Sequence, residues 1–142
     1  MKTALDVLNE KGTHVYSIGP DASVLDALRL MAEHEVGALP VLDGDRLVGL
    51  VSERDYARKV ILFERSSRTT PVRDIMMNRV TYVEPARSVE ECMALMTDKR
   101  VRHLPVLRDG RMIGLVSIGD LVKAIIDEQQ FIISQLELYI AS

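Results

Sequence analysis

Two short strings of residues in this chain are equipped for chemistry, and they are versions of each other. Ser52-Glu53-Arg54-Asp55 and Ser117-Ile118-Gly119-Asp120 each place a serine three residues ahead of an aspartate. That spacing has two readings. Before a helix it is a capping box, in which serine and acid satisfy N–H groups that the first turn leaves open, stabilising it by about 1 kcal/mol. Alternatively, the carboxylate accepts two hydrogen bonds from the cis-diol of a ribose while the positive end of the helix dipole faces a phosphate. Spacing alone favours the cap, and at the serines both roles can coexist. Arg102-His103 is the other candidate: two donors opening an apolar strand, where the first half of the chain has Gly37-Ala38. They read either as a solvated strand end or as phosphate donors, arginine as a planar fork and histidine adding one more bond.

These strings recur because the chain contains itself twice. Shifted by sixty-five positions, residues 15–56 lie on residues 80–121 without a gap, and seventeen of the forty-two pairs are identical. Each half therefore builds the same supersecondary unit. A β-branched run opens it (Val15-Tyr16-Ser17-Ile18; Val80-Thr81-Tyr82-Val83) and a turn at Pro20 or Pro85 closes that strand. A helix follows from Ser23 and from Ser88, with Asp26 and Glu91 completing capping boxes. Its apolar face carries Val24, Ala27, Leu28, Leu30 and Met31 in one copy and Val89, Cys92, Met93, Leu95 and Met96 in the other. A hairpin comes next, turning at Asp43-Gly44-Asp45 and at Asp109-Gly110. A second helix leaves the last strand at Ser52 and at Ser117.

The expected fold is α+β: two β-α-β-β-α repeats related by a pseudo-twofold axis, plus a long C-terminal helix from about 118 to 140. A lone repeat would bury too little surface to be stable, so the pair should fold as one module. Residues 1–63 are assigned to the first repeat, with a leading helix over 3–10. Residues 64–72 form a polar linker that carries Arg65 and Arg68, and residues 73–142 the second repeat. The segment 72–77 mirrors the leading helix. In the last helix Leu121, Val122, Ile125, Ile132, Leu136 and Ile140 recur at three- and four-residue spacing. Its far half outruns the repeat, and an apolar stripe there points to a partner chain, a homodimer being expected.

Composition narrows the function. Hydrophobic residues make up 47% and charged residues 27%, a globular balance. A net charge of −3 argues against a dedicated nucleic-acid binder. No apolar run reaches the length of a membrane span, and Met1-Lys2-Thr3-Ala4 lacks the form of a signal peptide. A soluble cytoplasmic protein is expected. The single cysteine, Cys92, cannot form an internal disulfide and reads as core. His14, His34 and His103 are far apart without partners at ligand spacing, so no metal site is expected. No pair of groups suited to general acid–base work shares a site, and an enzyme is not expected.

The duplicated pattern resembles a tandem pair of cystathionine-β-synthase (CBS) domains, the adenosyl-ligand-sensing arrangement called a Bateman module. The matching residues are Val36-Gly37-Ala38-Leu39-Pro40-Val41 with Val101-Arg102-His103-Leu104-Pro105-Val106, and Gly49-Leu50-Val51-Ser52-Glu53-Arg54-Asp55 with Gly114-Leu115-Val116-Ser117-Ile118-Gly119-Asp120. The resemblance covers nearly the whole chain and is closest to small stand-alone proteins that consist of the pair alone. It implies a non-catalytic sensor of an adenine nucleotide (AMP, ADP, ATP or NAD/NADH) held between the repeats, with Asp55 and Asp120 as the ribose ligands. Carried over, one site combines Ser52, Arg54 and Asp55 with Val80, Thr81, Tyr82, Arg102 and His103. The other combines Ser117, Gly119 and Asp120 with Thr13, His14, Val15, Tyr16, Val36, Gly37 and Ala38. The first has three candidate phosphate donors, Arg54, Arg102 and His103; the second has small residues there and reaches a phosphate only through Lys11 or His14. Arg54 and Gly119 depart from the small hydroxyl residue usual at that position. The competing expectation is an interaction module with degenerate pockets that assembles through its last helix.

Overall fold

The structure is a computed structural model that describes residues 1–141. In chain order its elements are α1 (Ala4–Lys11), α2 (Val24–His34), β1 (Ala38–Asp43), β2 (Arg46–Ser52) and α3 (Glu53–Tyr56), which runs into a π turn at Ala57–Ile61. A 3-10 turn at Val72–Asp74 follows, then α4 (Val89–Lys99), β3 (His103–Arg108), β4 (Arg111–Ser117) and α5 (Ile118–Ala141). β1 with β2, and β3 with β4, form two separate two-stranded sheets. The described residues make two compact units, one of residues 14–81 with 109–112, the other of residues 1–13, 82–108 and 113–141.

The helices start where their caps dictate. Ser88 and Glu91 form a complete box on α4, whereas Ser23 caps α2 by accepting from the Asp26 N–H at 3.0 Å and Asp26 turns its carboxylate to Arg29. Val24, Ala27 and Met31 on α2, and Val89, Cys92 and Met96 on α4, are buried in the cores of their respective units, as the periodicity predicts. Both hairpins form at the Asp-Gly turns.

The β-branched runs at 15–18 and 80–83 do not become strands. Each makes one parallel bridge, Ile18 to Val41 and Val83 to Val106. Ile18 donates to the Pro40 carbonyl at 3.1 Å and accepts from Leu42 N–H at 3.0 Å; Val83 repeats this with Pro105 and Leu107 at 3.0 and 2.9 Å. The prolines explain why the ladder stops. Extending it backward would require an N–H from Pro40 or Pro105, and extending it forward one from Pro20 or Pro85, which proline lacks.

The leading segments are exchanged relative to the order expected along the chain. α1, assigned above to the first repeat, buries Ala4, Val7 and Leu8 in the core of the second. Ala4 N–H donates to Arg87 O at 2.8 Å and Val89 N–H to Lys2 O at 3.0 Å. Reciprocally, Val72 and Ile75 complete the core of the first repeat, with Val24 N–H on Thr70 O at 2.9 Å and Val72 N–H on Ala22 O at 2.8 Å. The segment 64–72 is thus only partly a solvated linker, since Thr70 is buried and bonded to Ser66 O at 2.6 Å. Arg65 pairs with Asp74 at 3.0 Å and Arg73 with Asp21.

Two glycines permit the exchange. A Cβ at Gly49 would overlap the Met76 side chain and lie 2.9 Å from the Met77 carbonyl oxygen; one at Gly114 would overlap Leu8. Each is the point where a leading segment presses directly on the sheet.

Candidate functional site

Both Ser-x-x-Asp strings form complete capping boxes. Asp55 Oδ2 accepts from Ser52 N–H and Oγ–H, each at 3.0 Å, and Ser52 Oγ accepts from Asp55 N–H at 3.2 Å. Asp120 Oδ2 accepts from Ser117 N–H at 2.8 Å, and Ser117 Oγ from Asp120 N–H at 3.1 Å. The geometry aims one carboxylate oxygen at the helix start in each case and leaves Oδ1 outside the box.

Each aspartate also meets a lysine, and each lysine also bonds a backbone carbonyl. In the first unit Lys59 Nζ lies 3.4 Å from Asp55 Oδ1 and donates to Ile75 O at 2.9 Å. In the second, Lys11 Nζ lies 2.6 Å from Asp120 Oδ2 and donates to Leu115 O at 3.0 Å. Lys59 sits one turn beyond Asp55, a spacing that the sequence displays. Lys11 arrives from the far end of the chain, on α1. It was a candidate phosphate donor above; here its charge is partnered by Asp120.

The strand openings adjoin the same helix starts. Glu53 N–H donates to Gly37 O at 3.1 Å, and Ala38 pairs with Ser52 across the hairpin. Ile118 N–H donates to Arg102 O at 2.9 Å, the equivalent bond. Arg102 is exposed and His103 half-buried. Burial pushes the His103 imidazole below its ordinary range, Lys11 and Arg102 push the same way, and Asp120 opposes them. A neutral imidazole keeps one N–H donor, which suits hydrogen bonding rather than charge pairing. Burial by itself would raise the Asp120 carboxyl, but hydrogen bonds from Lys11 and Ser117 outweigh it and hold the group below the usual carboxylate range.

Most of the remaining predicted residues lie on connecting segments. Val80 and Thr81 are half-buried and Tyr82 exposed on the stretch leading to Val83, where an open pocket of about 450 Å³ is lined by Tyr82, Glu84, Arg87 and Glu91. Thr13 and His14 are exposed, Val15 half-buried, and Val36 half-buried ahead of β1; Arg54 and Gly119 are exposed on the first turns of α3 and α5. Tyr16 stacks on His34 with ring centroids 3.5 Å apart and an interplanar angle of 9°, and His14 meets Tyr16 edge-on at 4.7 Å. The repeat equivalents of these three are Arg79, Thr81 and Lys99, so the stack belongs to the first repeat alone. His34 carries no sequence signal for this role, because it depends on a contact between the end of α2 and the segment before it.

Duplicated hairpins, paired caps and acid–lysine contacts define a tandem repeat of one small α+β domain, and comparison with known proteins agrees. Residues 5–62 and 72–127 each match the CBS domain, so the chain belongs to the CBS-domain family. It is 42% identical over 147 residues to the mitochondrial CBS domain-containing protein CBSX3 of Arabidopsis thaliana, covering 97% of this chain and 71% of that protein. Hypoxic response protein 1 of Mycobacterium tuberculosis is 30% identical over 124 residues, with 87% and 85% covered. A solved protein with CBS domains from Burkholderia ambifaria MC40-6 superposes with a TM-score of 0.87 at 53% identity, over 90% of this chain and 96% of that one. Among the described residues, no helix is long and apolar enough to cross a membrane.

Proposed function

We propose that this protein is a non-catalytic sensor that binds adenine nucleotides (AMP, ADP, ATP or NAD/NADH) at the two residue sets carried over above, and signals by a change in conformation or assembly. The observation that carries the reading is that the boxes of Asp55 and Asp120 engage Oδ2 and leave Oδ1 outside, facing Lys59 at 3.4 Å in Asp55, where a ribose hydroxyl would compete with the lysine. Arg54, Arg102 and the neutral His103 supply phosphate donors on the first set. Membership of a family whose Burkholderia relative is named for signal transduction supports a regulatory rather than a catalytic role. Ligand acts by linkage, favouring whichever state binds it more tightly. Assembly as a homodimer in the cytoplasm belongs to the same reading, although the Arabidopsis relative is designated mitochondrial. The exposed far half of α5 favours a second reading, in which assembly is the whole function.

The experiment is a thermal-shift panel with AMP, ADP, ATP, NAD, NADH, S-adenosylmethionine and GMP, followed by calorimetric titration of Asp55→Asn and Asp120→Asn. Nucleotide at about a hundred times its Kd adds roughly 2.7 kcal/mol, several degrees for a chain of this size. Asparagine keeps an acceptor for the cap, so the expected outcome is a folded variant that loses one binding event. Unchanged stoichiometry and affinity in both variants would overturn the site assignment. No shift with any nucleotide, on protein shown to be free of copurified ligand, would leave the assembly reading.

A further inference from the structure

α5 runs for 24 residues, and only its first turns are packed: Leu121 and Ala124 are buried, whereas nearly every large apolar residue beyond Ile125 is exposed. One seam along the exposed surface has coiled-coil spacing. Val122, Ile126, Gln129, Ile133, Leu136 and Ile140 alternate at four and three residues, with isoleucine at every a position and Val122, Gln129 and Leu136 at d. The apolar residues among them are 40 to 80% exposed. With Ile132 beside it, the seam is a continuous strip of exposed apolar side chains, the kind of surface that a second helix covers.

The charges beside the seam select the partner and its direction. Position e is occupied in turn by Lys123, Gln130 and Glu137. In an antiparallel pair of identical helices, e faces e. Pairing centred on Gln130 then sets Lys123 against the second copy's residue 137, a glutamate, and does so twice by symmetry. The core layers of the same register centre one residue further on, at 131, so that Ile126 meets Leu136 and Val122 meets Ile140. A parallel pair would hold Lys123 and Glu137 about 21 Å apart along the axis and couple them to nothing.

We infer that α5 is the dimerisation element, closing two copies of this chain as an antiparallel two-helix coiled coil with residues 130 and 131 at the dyad. Such an interface is isologous and closed, so it stops at two copies. This inference rests on the homodimer part of the function proposed above and adds the surface, the direction and the register.

The test is sedimentation equilibrium of the full chain and four variants, Lys123→Glu, Glu137→Lys, the double exchange, and Ile133→Asp, with circular dichroism to verify folding. The expected result is a dimer, a Kd raised about tenfold by either single charge reversal, recovery to within a few-fold in the double exchange, and a folded monomer for Ile133→Asp. A wild-type monomer at all concentrations would overturn the homodimer reading itself. A wild-type dimer in which the two charge reversals add instead of cancelling would overturn the antiparallel register alone. A dimer indifferent to Ile133→Asp, or an assembly larger than two copies, would overturn the choice of seam.

Discussion

The two repeats use the same four-residue string to start a helix and then treat it differently. In the first, the acid of the box is paired by Lys59 from its own helix, at 3.4 Å; in the second, Lys11 comes from α1 and closes to 2.6 Å. The position equivalent to Lys59 is Ala124, buried in the core beside α1. Where the helix of the second repeat carries Ala124 in place of that lysine, the leading segment supplies one. The outcome is alike in one respect: each lysine ties a leading segment to a box, Lys59 through Ile75 O and Lys11 through Asp120. Local sequence makes the cap, and segments exchanged along the chain make its electrostatic environment. The helices beyond diverge further, one ending in a π turn at Ile61 and the other running on to Ala141.

The two leading segments are most directly dislodged at the glycines beneath them. Gly49→Ala would push a methyl into Met76 and against a backbone carbonyl, whereas Gly114→Ala would meet only the Leu8 side chain. Overpacking of this kind costs about 1–3 kcal/mol. Gly49→Ala should sit near the upper end because a backbone oxygen yields less than a leucine. Thermal unfolding should show both variants lowered, Gly49→Ala by more; equal Tm values would mean that the leading segments are held with the same slack in both repeats.

Much of this architecture is legible in the residues. The hairpins follow from Asp-Gly turns, the helix starts from Ser-x-x-acid, and the core faces of α2 and α4 from their periodicity, all of which are local rules. What is not legible is long-range. The strands at 15–18 and 80–83 look sound until the prolines of the neighbouring strand are counted as missing donors. The exchange of leading segments leaves no mark in composition, and Thr3-x-x-Asp6, which forms a full box on α1, says where that helix starts but not where it packs. For the same reason Asp55 and Lys59 can be paired by reading, four residues apart, whereas Lys11 and Asp120 cannot.

The two lysines should differ in stability by a smaller amount. Lys11→Met should cost about 1 kcal/mol, because it strands a partly buried carboxylate and removes a tie between α1 and the sheet. Lys59→Met should cost less, since its pair is longer and Asp55 keeps all three bonds of its box. Urea unfolding of the two variants measures the difference. If they prove equal, the shorter contact carries no more stability than the longer one, and the contrast between the repeats is geometric only.

The smallest effect, and the most specific to the second repeat, is in the response to acid. His103 is held below its ordinary pKa in the folded chain, so as pH falls through about 6.5 the unfolded chain takes up that proton first. Stability associated with the neutral imidazole is therefore present above that range and lost on acidification. Asp120 is also held low, and its contribution persists until pH falls below the ordinary carboxylate range. Two separate declines are expected in a plot of Tm against pH. His103→Gln should flatten the first while leaving the second, and Asp120→Asn should remove the second while deepening the first, because Asp120 opposes the lowering of the His103 pKa. Alanine occupies the position of His103 in the first repeat, so no matching variant exists there. Survival of the upper decline in His103→Gln would assign it elsewhere and remove His103 as the neutral donor on which the phosphate reading depends.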